Sequence, residues 1–197
     1  MIYSPSFAAL LDANVLYPAP LRDFLLRLAG ADFYQPKWTD QMQEEWIRNL
    51  LINRTDLTRE NLERTKAAMN AAFPDANVTG HEAIIDSLVL PDPDDRHVVA
   101  AAIKCQADVL VTLNLKDFPV DVLASYELEV QHPDDFIANM IGLDRPKVLA
   151  VIHNLVTILK RPPKTFEDIL QTLEKQGLTK SVALLKNDGP VGISFTM

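Results

Sequence analysis

Two short apolar runs, each closing on polar groups, constrain this chain more than any other feature. Phe7-Ala8-Ala9-Leu10-Leu11 stops at Asp12, and Asp108-Val109-Leu110-Val111-Thr112-Leu113 leads into Asn114 and Asp117. Neither core of these runs alternates apolar with polar residues, so neither suits a strand with one wet face. Both read as strands buried on two sides, the habit of parallel sheets covered by helices. Between them the spacing becomes helical. Leu21, Phe24, Leu25 and Leu28 recur at i, i+3, i+4 and i+7 and stop near Gly30. Phe33 to Trp38 reads as a second short strand, after which Thr39 and Asp40 open a helix through Glu44, Glu45, Trp46 and Leu50. A further helix is expected from Thr58 to Phe73, ended by Pro74 to Gly80. The prolines of Leu90-Pro91-Asp92-Pro93-Asp94-Asp95 forbid a helix, and Val98, Val99, Ala102 and Ile103 restart one. Tyr126 to Val130 predicts an edge strand. This alternation predicts an α/β fold with three α/β/α layers and a mostly parallel central sheet.

Past Pro133 the pattern turns wholly helical. Val148, Ile152, Leu155 and Leu159 form a stripe, Pro162-Pro163 breaks it, and Thr165 with Asp168 forms a capping-box pair before Ile169, Leu170 and Leu173. Gly177 reads as a stop, and Thr179 to Lys186 adds a last helix. The expected organisation is an α/β domain over residues 1–140, a basic helical extension over 141–188 and a loose tail over 189–197. With 197 residues, 48% of them hydrophobic, the chain has enough material for one proper core. The lone cysteine, Cys105, cannot make an internal disulfide, and no secretory leader is recognisable. No apolar stretch approaches the ~20 residues needed to cross a bilayer. A cytoplasmic location without membrane partners is expected.

The charge is segregated. Residues 1–144 hold 11 Lys and Arg against 23 Asp and Glu, whereas residues 145–197 hold 8 against 4. An acidic body repels nucleic acid unless metal neutralises its carboxylates and a local basic surface takes the phosphates. The acids have a definite destination, because ligands of open parallel sheets bind beyond the carboxyl ends of the strands. Asp12 and Asp117 map to that edge. Asp95 begins the helix ahead of the strand ending at Thr112, and Glu45 rides the helix after the second strand. Four carboxylates therefore converge by this reading. Crowded like charges raise one another's pKa, and buried charge is costly unless paired, so a divalent cation is expected among them. Oxygen-only ligands select a hard ion, Mg²⁺ or Mn²⁺, while His81, His97, His132 and His153 are too scattered for zinc.

Four segments carry a resemblance. Leu10-Leu11-Asp12-Ala13-Asn14-Val15-Leu16, Glu44-Glu45-Trp46-Ile47-Arg48-Asn49-Leu50, Asp92-Pro93-Asp94-Asp95-Arg96-His97-Val98-Val99 and Leu110-Val111-Thr112-Leu113-Asn114-Leu115-Lys116-Asp117-Phe118 resemble the ordered motifs of PIN-domain nucleases, VapC-type toxins among them. The resemblance covers roughly residues 7–135. It implies a metal-dependent endoribonuclease leaving 5′-phosphate and 3′-hydroxyl ends. By position, it makes Asp12, Asp95 and Asp117 metal ligands and Glu45 the remaining catalytic acid, with Asn14, Thr112 and Asn114 in support. Glu44, Asp92 and Asp94 compete for those roles, and Asn114 stands where many members carry another Asp. The resemblance also implies an RNA substrate, an antitoxin partner and a homodimer.

Arg48 and Arg54 near Glu45, with Lys160 and Arg161 in the basic extension, are candidate RNA contacts. Arg59, Arg64 and Lys66 extend the first strip. Trp38 and Trp46 are expected in the core rather than under a base. Two other functions compete. A haloacid dehalogenase-type phosphatase needs a second Asp two positions after the first, where Asn14 stands and cannot exchange the proton. A PIN-like scaffold without catalysis would bind and not cut.

Overall fold

The computed structural model describes residues 7–160 and 162–186. It divides into two compact units between Pro133 and Asp134. In the first, β1 (Ala8–Leu11) has all four residues buried. It pairs with β2 (Gln35–Lys37) on one side and β3 (Val109–Val111) on the other, and β4 (Glu129–Gln131) continues the sheet beyond β3. Ala9 lies opposite both Pro36 and Val109. Every pairing is parallel, in the order β2-β1-β3-β4. Pro36 has no N–H to donate, which a strand at the sheet's edge tolerates.

The chain moves from β1 outward to β2, then returns to β3 on the far side of β1. Parallel strands are joined by right-handed crossovers as a rule, and such crossovers on the two sides of β1 put the connecting helices on opposite faces, as the three expected layers require. The change of direction between β1 and β3 is the switch point of the sheet. Asp12 and Thr112 directly follow those two strands.

The connecting helices are α1 (Ala13–Leu16), α2 (Ala19–Gly30), α3 (Asp40–Asn53), α4 (Arg59–Ala72), α5 (Glu82–Ile85), α6 (Arg96–Cys105) and α7 (Val120–Ala124). Single 3₁₀ turns span Pro93–Asp95 and Leu115–Asp117. Of these, α1, α5 and α7 were not expected, because four or five residues are too few to display a helical period. The stripe on α2 is realised in full, with Leu21, Phe24, Leu25 and Leu28 at most 1% exposed. Thr39 and Thr58 cap α3 and α4 by accepting from the backbone N–H of Met42 and Asn61. The helix α6 ends where Gln106 turns left-handed (φ 52°) and Ala107 N–H returns to the Ala102 carbonyl. Trp38 and Trp46 are fully buried. The Arg22 guanidinium lies over the Trp46 ring, 4.6 Å from its centroid, and ties α2 to α3.

The second unit holds α8 (Pro133–Ile158), α9 (Phe166–Glu174) and α10 (Thr179–Lys186). The apolar stripe is legible in sequence only from Val148, yet α8 opens at Pro133 with Asp134 and Asp135 in its first turn and runs through residue 140. It bends at Asp144 (φ −152°, ψ 78°), next to Pro146. Asp134 caps α10 by accepting from Lys180 and Ser181 N–H at 2.8 Å each. Thr165 and Asp168 form the expected capping box of α9, and Gly177 (φ 87°) supplies the left-handed turn after it. The expected tail over 189–197 lies outside the described residues. Among the described residues, no helix is long and apolar enough to cross a membrane.

Candidate active site

Asp12 extends the β1–β3 ladder by one bond, its N–H donating to the Val111 carbonyl at 3.1 Å. Asp12 is 6% exposed and directly follows the central strand β1. Thr112 Oγ1 donates to Asp12 Oδ2 at 2.7 Å, and Asn14 Nδ2 donates to the same oxygen at 2.6 Å. Asn14 Oδ1 accepts from Leu113 N–H at 2.9 Å, and Thr112 Oγ1 accepts from Asn114 N–H at 3.0 Å. The result is a closed polar network across the switch point that holds one carboxylate oxygen still. Burial raises the Asp12 pKa, and the Thr112 bond opposes that rise without cancelling it.

Glu45 reaches the same place from α3. The Thr39 cap sets the start of that helix; Glu45, its side chain 22% exposed, lines the cleft, while the Glu44 side chain is 47% exposed and does not. Glu44 pairs with Arg59 at 2.7 Å. Glu45 Oε1 receives His97 Nε2 at 3.2 Å and Gln41 Nε2 at 3.1 Å. Burial pushes the Glu45 pKa up, but the His97 bond and charge outweigh it and leave the carboxyl below its ordinary value. His97 is buried in the first turn of α6. Sequence reasoning missed its part here. The only available signal was its position two residues after Asp95.

Asp95 ends the 3₁₀ turn that leads into α6. Its pKa rises to about 6, first through burial and then through the charges of Asp12, Asp92 and Asp117. Asp92 accepts from Asp94 N–H at 2.9 Å and caps the turn; both Asp92 and Asp94 are exposed. Asp117 closes the turn after β3 and accepts from the Asn114 side-chain amide. Asn114, the departure from the resemblance noted in the sequence, thus bonds to the neighbouring carboxylate of Asp117.

These elements enclose a cleft of about 510 Å³. Asp12, Glu45 and Asp95 line it with Asn14 and Asn114, while Asp117 is not among the lining residues and bonds to Asn114. Glu44, Asp92 and Asp94 do not line it. Residues 8–116 match the family model described as PIN domain. The chain belongs to the PIN domain family. That match contains Asp12, Glu45, Asp95, Thr112 and Asn114 and stops one residue before Asp117. Residues 133–187 match a second family model, described as VapC50 C-terminal domain. A relative named "Putative ribonuclease VapC50", from Mycobacterium tuberculosis (strain ATCC 25618 / H37Rv), is 38% identical over 106 residues. The aligned stretch covers 52% of this chain and 63% of that protein, less than two thirds of the relative's length. No solved structure matches the chain significantly.

Among the described residues of this PIN domain chain, no group of three or more His, Cys, Asp and Glu side chains forms a ready-made metal cage. The donor set nevertheless suits a hard cation. It is all carboxylate oxygen, and the Asp95 pKa is raised first by burial and then by the charges of Asp12, Asp92 and Asp117, with His97 opposing the rise. Mg²⁺ keeps several waters and takes one or two carboxylates directly, so it does not require a closed protein cage.

The basic strip beside α3 is largely self-neutralised. Arg54 pairs with Asp56 at 2.6 Å, Arg59 with Glu44 and Glu63, Arg64 with Glu60, and Lys66 with Asp40. Arg48 alone of the strip lines the cleft. In the second unit Lys160 is exposed, with a backbone bridge to Pro163, while Lys180 and Lys186 pair with acids of their own unit. Arg161 lies outside the described residues.

Proposed function

We propose that this PIN domain chain is a metal-dependent endoribonuclease acting as the toxin of a toxin–antitoxin pair. The observation that carries the reading is the meeting of Asp12, Glu45 and Asp95 in one cleft at the switch point of a parallel sheet, with Asp117 adjoining. Asp12, Asp95 and Asp117 would hold Mg²⁺ or Mn²⁺, and Glu45 completes the acidic set. A bound divalent cation supplies Lewis acidity toward the scissile phosphate and acidifies water at neutral pH. The chain's own groups divide the remaining work. Glu45, ionised at neutral pH through its His97 partner, accepts the proton of the attacking water. Thr112 and Asn14 keep Asp12 from rotating away, which preserves the geometry of an in-line displacement. Asn14 is wholly engaged in that network, so it offers no proton for covalent phosphoryl transfer.

RNA is the substrate of this reading, an antitoxin closes the acid-lined cleft, and the chain works as a homodimer. The relative named as a ribonuclease supports the activity, and the match to the C-terminal domain model supports the toxin role. A binding protein that does not cut is the competing reading, favoured by the lack of a ready-made cation cage among the described residues. An RNA-cleavage assay with chelation and add-back of Mg²⁺ or Mn²⁺ separates them. Wild-type protein is expected to cut only with metal, and Asp12→Asn to lose at least about 100-fold in rate at unchanged fold. Cleavage that survives both chelator and Asp12→Asn, or binding with no cleavage under any metal, overturns the nuclease reading.

A further inference from the structure

The cleft continues past the acids along one face of α3. Relative to Glu45, the positions Arg48, Asn49, Ile52 and Asn53 fall on a single side of the helix by its ~100° step per residue. Arg48, Asn49 and Asn53 line the cleft with Glu45, and Tyr17 and Pro18, just after α1, line it too. Three features of this wall are unexplained by hydrolysis. Arg48 is the one cation among the lining residues, and its guanidinium makes no hydrogen bond or ion pair within the described residues. Every other described arginine is bonded: Arg22 and Arg96 to carbonyls, Arg145 to the Leu185 carbonyl, and Arg27, Arg54, Arg59 and Arg64 to carboxylates. Tyr17 is half-buried, and among the described residues its hydroxyl makes no hydrogen bond. Ile52, on the same helix face, is 71% exposed.

We infer that Tyr17 and Arg48 form a nucleotide subsite beside the scissile phosphate, Tyr17 stacking one base and Arg48 gripping the phosphate next to it. The assignment rests on the ribonuclease reading and adds positioning residues to it. A guanidinium that faces the charges of Glu44 and Glu45 without a direct ion pair among the described residues keeps all its donors open to a phosphate. A half-exposed aromatic ring in the same cleft supplies the face on which an unstacked base rests. The amide of Asn49 stands on the same wall and can meet the edge of that base. A cleft of about 510 Å³ is of small-ligand size, which limits the subsite to about one nucleotide at a time.

The test measures binding by the full chain carrying Asp12→Asn, so that cleavage does not interfere. The probe is a short end-labelled single-stranded RNA, with a series in which one abasic site is stepped through the strand, read by fluorescence anisotropy. With Tyr17 present, a lesion at one position is expected to weaken binding about tenfold. Tyr17→Leu, which fills the volume without an aromatic face, should weaken the intact RNA about tenfold and abolish the lesion's effect, while Tyr17→Phe restores both. Arg48→Ala should lower the slope of log affinity against log salt by about one. Equal lesion penalties in Tyr17 and Tyr17→Leu proteins, an unchanged slope in Arg48→Ala, or no binding of the RNA at all each overturns the subsite. Failure of the nuclease reading shows separately, as wild-type protein that leaves the intact RNA uncut with Mg²⁺ and Mn²⁺.

Discussion

Asp95 shows how a single side chain reports its surroundings. Its carboxyl has a pKa of about 6 in the folded chain against 3.8 for the ordinary group, because it is partly buried and faces Asp12, Asp92 and Asp117. A raised carboxyl pKa means that the folded state carries an unfavourable charge at high pH. That cost is complete above about pH 6, shrinks as the folded form takes up a proton, and is gone below 3.8, where both states are neutral. Asp95→Asn should therefore stabilise the metal-free protein above about pH 6, by about 1 kcal/mol after allowance for solvent screening, with the advantage fading as pH falls. Urea melts of the two proteins across that range check it, and a difference independent of pH would assign the effect elsewhere. At this scale the sequence singled out Asp12, Glu45 and Asp95, which line the cleft, and Asp117, which does not. His97 was not, because a histidine near a helix start looks the same whether it faces solvent or a carboxylate.

The element that decides between neighbouring acids is α3. Glu44 and Glu45 differ by one step of ~100° around the helix, enough to send one to Arg59 outside and the other to the cleft. Thr39 fixes where that rotation begins: its buried Oγ1 accepts from Met42 N–H at 3.1 Å. Thr39→Ala should cost about 1 kcal/mol in chemical denaturation and Thr39→Ser much less, as expected for a lost cap. Equal losses in the two variants would assign the effect to the missing methyl group instead. Caps and long stripes could be read from letters because they depend on neighbours in sequence. The short helices α1, α5 and α7 could not, since their existence follows from what they pack against. The pairing of Arg54, Arg59, Arg64 and Lys66 was equally hidden, as a string of basic residues does not reveal which acids fold back onto it.

For the whole molecule, the consequential fact is the order β2-β1-β3-β4, which brings the ends of β1 and β3 side by side and Asp12 against Thr112 across 100 positions of sequence. Acids gathered in this way make metal affinity and stability one quantity. Mg²⁺ or Mn²⁺ at about 100 times its dissociation constant should add about 2.7 kcal/mol to the stability of the wild-type fold. Differential scanning fluorimetry checks this through a rise in Tm that Asp12→Asn removes. A rise of equal size in that variant would mean that the ion binds elsewhere. The amino-acid sequence by itself determined the two buried strands, the main helices and their caps, and the acids bound for the sheet's carboxyl edge, because periodicity, capping and turn chemistry act over a few neighbouring residues. Only the tertiary structure decided which of the neighbouring acids face the cleft, that His97 holds Glu45, and that Arg48 lines the cleft with Tyr17 without an ion pair among the described residues. Those outcomes depend on distances between elements far apart in the chain, set when the sheet closes and the helices take up their rotations against it.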